Sequence, residues 1–215
     1  LSILRDRLLH AVLFVAMAML LLAPMLSTFS MLQAPQLAIT LSLSVLSLVL
    51  LILTLLLGTT SIFRDVERRY LASILTLPVS RATYLLGKFV SIVIFLFLSA
   101  ALLGLGAFAI IALVSSQYPS DLPIPWTTIL LAISLDLLKF ILLASVALLF
   151  STVSTSFFLP FFSTLAIYMS GSASQGVFEF VTGEFGQKMS PFILGVIKGA
   201  YYILPNFSAF NFKVH

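Results

Sequence analysis

Residues Ser61 to Lys88 read SIFRDVERRYLASILTLPVSRATYLLGK, and no other stretch of the chain is so rich in charge. Five of the 11 basic residues fall in it: Arg64, Arg68, Arg69, Arg81 and Lys88. Long apolar runs without a charged residue lie on both sides. A basic segment between two membrane crossings is expected on the cytoplasmic face, within reach of a soluble partner.

The flanks make the membrane assignment. Apolar residues are 61% of the chain, charged residues only 8%, and the mean hydropathy is +1.21. A water-soluble domain carries about 25% charged residues, so this composition cannot cover a soluble surface and the bilayer must be its solvent. Between Arg7 and Arg64 there is no charged residue, and His10 is the one other titratable group. As helix, that run would extend about 84 Å, against a hydrocarbon core about 30 Å thick. It fits two crossings and a turn at Gln33-Ala34-Pro35-Gln36.

Five spans are read, at about 8–30, 37–60, 89–115, 127–150 and 157–178, with a sixth expected after His215. The whole chain, 1–215, is read as one transmembrane domain. Arg5 and Arg7 put the N-terminus inside, and the outer loop SQYPSDLPIPW carries no Lys or Arg. Trp126 and Tyr118 stand where interfacial anchors belong. The fold class is therefore all-α, a polytopic membrane helix bundle with the loop 61–88 inside. After Val177 the chain changes character: the piece PFILGVIKGAYYILP, 191–205, is short for a crossing and has Lys198 in its middle. This marks the region of about 188–212 as a re-entrant or interfacial outer segment.

Within the loop, Phe63, Val66, Tyr70, Ile74 and Leu77 recur at steps of three and four, while Arg64, Asp65, Glu67 and Arg68 lie off that stripe. This is the periodicity of an amphipathic helix. Asp65 and Arg69, four apart, are expected to support it by roughly 0.2–0.5 kcal/mol. Pro78 ends the helix and Ser80 is placed to cap the next one. Two readings fit the pattern. One is an interfacial helix that anchors a loop; the other is a coupling helix that carries force from a soluble motor to the spans.

The loop resembles the segment between the second and third spans of type-2 ATP-binding-cassette (ABC) exporter permeases. The resemblance rests on Glu67, the leucine-rich turn Leu71 to Leu77, Pro78-Val79-Ser80-Arg81 and Leu86-Gly87-Lys88; Arg69-Tyr70 stands where the family usually has Gly-Thr or Arg-Thr. A second stretch, Tyr202-Ile203-Leu204-Pro205-Asn206-Phe207-Ser208-Ala209-Phe210-Asn211, is similar to the LPN-x-S-x-F stretch after the fifth span in some of these permeases. The resemblance implies a subunit paired with a second permease subunit, as homodimer or heterodimer, and docked on a cytoplasmic ABC ATPase. ATP and Mg would be bound by that partner, because this chain has no G-x-x-x-x-G-K-[ST]: Gly87-Lys88 is followed by Phe89. Docking is expected at Glu67, Arg68, Arg69, Leu71, Leu75, Pro78 and Arg81. An outer gate is expected at Pro191, Lys198, Pro205 and Asn206. The location implied is the inner membrane of a bacterial cell, in contact with its lipids.

Asp136 and Lys139 lie inside the fourth span at i, i+3 and so share a helix face. Each alone would cost about 2.5–3.5 kcal/mol to insert; together they neutralise each other. They are either a polar lining or proton relay, or a structural pair. The small-residue run Ser170-Gly171-Ser172-Ala173-Ser174 fits close helix packing or a wall of the translocation path, and Gly104 and Gly106 fit packing. No catalytic or metal-ligating constellation is present: there are no cysteines, and no Ser, His and acid are spaced as a nucleophilic set. The basic residues cluster on one membrane face, which argues against nucleic acid as a partner. Two alternatives remain: a haem-exporter-like assembly permease, and a non-transporting membrane scaffold whose loop binds lipid head groups or a neighbouring subunit.

Overall fold

The computed structural model describes residues 7–27, 34–67, 80–118 and 125–182, together with 197, 199, 201 and 207. It is all-α: α1 Arg7–Ser27, α2 Ala34–Glu67, α3 Arg81–Gln117, α4 Trp126–Val153 and α5 Phe158–Thr182. Among the described residues, three helical stretches are long and apolar enough to cross a membrane: Ala34–Asp65, Arg81–Gln117 and Trp126–Val153; Leu9–Leu22 is a shorter apolar helix.

The local chemistry of each helix suits an apolar medium. Pro35 and Pro160 sit in the first turns of α2 and α5, where a missing N–H costs nothing. Ser80 caps α3 by accepting the amide of Thr83 at 3.2 Å. The α4–α5 turn is held by Ser154, whose Oγ accepts the amide of Ser156 at 3.1 Å and donates to its carbonyl at 2.8 Å. Hydroxyls inside the bundle bond back to their own helix: Thr54 to Leu50 O at 2.7 Å, Ser99 to Phe95 O at 2.8 Å, Thr164 to Pro160 O at 2.7 Å. In hydrocarbon no water can take those groups, so the helix supplies the acceptor.

α2 is the central element and packs against α1, α3, α4 and α5. Its Leu46, Leu50 and Leu53 are fully buried, against Leu96 and Leu103 of α3 and Phe140 and Leu143 of α4 in one core. Large apolar side chains also cover the outside, among them Phe14, Leu21, Phe97, Leu105 and Leu130. In water that distribution would be a liability; facing acyl chains it is the ordinary surface of a membrane helix.

α2 and α4 approach closely at Gly58. A Cβ built on Gly58 would overlap the Cβ of Ala147. One turn further along, Ser151 Oγ of α4 donates to Thr59 O of α2 at 3.3 Å. A Cβ built on Gly104 or Gly106 would stand at ordinary contact distance from Ile133 or Met17, 3.5 Å in each case. Their packing is looser than at Gly58.

At 34 and 37 residues, α2 and α3 are about 51 and 55 Å long, well beyond a core of about 30 Å. Residues 68–79 connect the end of α2 to the start of α3, and this side of the bundle is the loop end. Gly58→Ala is expected to force α2 from α4 and to destabilise the bundle by about 1–3 kcal/mol. Gly87→Ala, which meets nothing within 4 Å, should leave the unfolding midpoint in detergent unchanged or slightly raised.

Candidate functional site

Two posts of helix flank the loop. α2 runs unbroken through Glu67, so the first part of the amphipathic stripe, including Phe63, is the end of the second span rather than a separate helix. Arg81 opens α3 and is exposed. Of the other expected docking residues, Glu67 is the last residue of α2, while Arg68, Arg69, Leu71, Leu75 and Pro78 lie outside the described residues.

The posts are tied together at their base. Lys88 Nζ of α3 pairs with Asp65 Oδ2 of α2 at 2.7 Å, with side-chain exposures of 17% and 18%. Tyr84 donates its hydroxyl to the same Asp65 oxygen, and Lys88 Nζ also donates to Ser61 O at 3.2 Å. Tyr84 and Lys88 are four apart on one face of α3, as Ser61 and Asp65 are on α2. The contacts pair 61 with 88 and 65 with 84, an antiparallel register. The Lys88 ammonium also lies beside the C-terminal end of α2, where the helix dipole favours a cation. Charge-assisted bonds shielded from most of the water are stronger than an exposed pair.

The structure adds to the expectation for Asp65: its carboxylate crosses to Lys88 and Tyr84 of α3, while Arg69, its expected partner on the same helix, lies outside the described residues. The loop-end contacts extend to α4 and α5: Phe63 meets Phe157, in the α4–α5 turn, edge to face with centroids 6.4 Å apart. Phe157 in turn stacks on Phe161 at 5.7 Å.

A second polar locus lies inside the bundle. Lys139 and Asp136 of α4 form an ion pair at 2.5 Å, with Lys139 only 1% exposed. Lys139 Nζ stands 4.8 Å from the centroid of the Phe140 ring, within cation–π range. Phe140 stacks on Tyr168 of α5 at 6.2 Å, and Tyr168 meets Phe207 at 6.0 Å. Phe207 is buried, and its amide donates to Gly171 O at 3.2 Å. Nearer the far end of α5, Tyr201 stacks on Phe178 at 4.2 Å. Residues 201 and 207 therefore lie along α5 in antiparallel order, with 207 beside its middle. Gly171, within the small-residue run 170–174, accepts the Phe207 amide, so Phe207 meets the run there. Pro191, Lys198, Pro205 and Asn206 lie outside the described residues.

Comparison with known proteins gives these loci a setting. The family model for ABC-2 family transporter proteins matches the chain over residues 5–203. The chain belongs to the ABC-2 transporter family. It matches no curated protein and no solved structure. As an ABC-2 family member it is an integral membrane protein and a permease subunit of an ABC transporter, a family that works with a partner ABC ATPase.

The loop-end tie was missed in the sequence because its members are 19 and 23 positions apart and because Asp65 had a nearer basic residue. The available signal was a pair of opposite charges, one on each helical post. For the buried pair, Lys139→Met leaves Asp136 uncompensated and is expected to cost about 3–5 kcal/mol. Replacing both, Asp136→Asn with Lys139→Met, should recover most of that stability. If the double variant folds but does not transport, the pair acts in the transport path; if it transports, the pair is structural.

Proposed function

We propose that this ABC-2 family chain is the membrane permease of an ATP-driven exporter, with its loop end in the cytoplasm and docked on a separate ABC ATPase. The observation that carries the reading is the loop end itself. Two helices longer than a hydrocarbon core are bound to each other near the ends that residues 68–79 connect, and Arg64 and Arg81 flank that connection with its Arg68 and Arg69. Basic residues in a short loop favour the cytoplasmic side, and a rigid pair of helix ends is a suitable base for a docking surface. Glu67, Arg68, Arg69, Leu71, Leu75, Pro78 and Arg81 make the contact with the ATPase. ATP and Mg bind in that partner, which supplies the energy of transport.

Two such permease subunits, identical or related, enclose the path between them. ATP binding closes the ATPase dimer and displaces the loops, and the spans pass from inward to outward access. The segment 191–205, with Pro191, Lys198, Pro205 and Asn206, gates the far side; the seating of Phe207 beside the middle of α5 fits a segment that dips into the bundle. The spans carry few polar groups, which favours a lipid-like or amphipathic cargo; the family likeness favours an inner-membrane location in a bacterium.

Purification in mild detergent tests the reading. A Walker-motif ATPase should co-purify with the chain, and Glu67→Ala or Leu71→Ala should weaken its recovery by about 5–30-fold, the effect of one or two kcal/mol at an interface. Recovery of membrane proteins alone would favour a scaffold role and overturn the exporter reading.

A further inference from the structure

The ion pair at the loop base has a geometry that simple anchoring does not require. Two side chains of α3, Tyr84 and Lys88, converge on one carboxylate oxygen and one backbone carbonyl of α2, in an antiparallel register, near the ends of both helices. An apolar contact at the same place would hold the helices together but let them slide. The directional bonds at Asp65 oppose both separation and sliding, because either movement strips a charge-assisted bond from a partly buried carboxylate.

We propose that Asp65, Tyr84 and Lys88 are positioning residues that clamp α2 to α3, so that displacement of the loop moves both helices as one lever. This rests on the docking reading above. A loop joined to two untied helices would absorb a push from the ATPase by spreading its own ends. With the base clamped, the push passes into α2, the helix that touches all the others. From α2 it reaches α4 through the tight Gly58–Ala147 approach and the Ser151–Thr59 bond, and α5 through Phe63 against Phe157. The clamp residues therefore act through the helices and need make no contact with ATPase or cargo.

The chain has no cysteine, so the clamp can be replaced by a covalent bond in the complex as purified with its ATPase. In the Asp65→Cys, Lys88→Cys double variant the ATPase should still co-purify, since the docking residues are intact. ATP hydrolysis by the complex should fall about fivefold or more, the lower range of coupling between sites. Joining the two thiols with a short bifunctional reagent should restore hydrolysis in the same preparation, which also shows that the variant is folded. Lys88→Arg, which keeps the charge and the donor, should stay near the wild-type rate.

A wild-type rate in the unlinked double variant overturns the clamp and leaves the docking reading standing. Loss of activity on cross-linking a double variant that was active when unlinked also overturns it, because the two helices then have to separate. Absence of any ATPase from the wild-type preparation overturns the docking reading, and the clamp with it.

Discussion

A charge inside this bundle must find its counter-charge inside the bundle, and that constraint organises the structure. Acyl chains offer no solvation, so an unpaired ion costs several kcal/mol. Lys139 meets the constraint within one turn of its own helix, through Asp136. Lys88 meets it across two helices, through Asp65. The same rule reaches the neutral polar groups: serines and threonines of the spans bond to carbonyls three or four residues back. Ser42 of α2 is an exception among the described residues, a fully buried hydroxyl with no hydrogen-bond partner.

From this follows the different character of the two ionic loci. Asp136–Lys139 is a pair within one turn of α4, beside the aromatic stack Phe140, Tyr168 and Phe207, which joins α4 to α5 and to the later part of the chain. Asp65–Lys88 lies near the ends of two long helices that also pack on each other in the core, and it adds a directional, charge-assisted tie between them. A local pair stabilises a helix; a cross-helix pair fixes the relation between two helices. On the proposed reading, the second kind is what a permease needs where an external motor applies force. α2, packed on every other helix, is then the element through which a push at the loop end is distributed.

Much of this was legible in the sequence where the determining contacts are local. The all-α membrane class follows from charge depletion over 8–63. The cap at Ser80 follows from its position just before a helical run, and the Asp136–Lys139 pair from its i, i+3 spacing on a helix. The parts that were not legible depend on distant neighbours. Asp65 had two acceptable basic partners, Arg69 nearby and Lys88 across the loop, and only the antiparallel register of α2 and α3 favours the second. Gly58 carries no sign that Ala147 will press on it, because that approach depends on the crossing of two helices. Phe207 stood within a stretch noted for its resemblance to the family, yet nothing in its spacing shows that it seats against Gly171 beside the middle of α5.

The account depends on the loop end facing the compartment that holds the ATPase, and the cysteine-free chain allows a direct measurement of that. Single cysteines would be placed at two exposed positions, Ala82 beside the loop and Thr127 at the start of α4, and treated in intact cells with a membrane-impermeant thiol reagent. The account predicts that Thr127→Cys is labelled in intact cells and that Ala82→Cys is labelled only after the membrane is permeabilised. Labelling of Ala82→Cys from outside intact cells would place the loop away from any cytoplasmic ATPase and contradict the account.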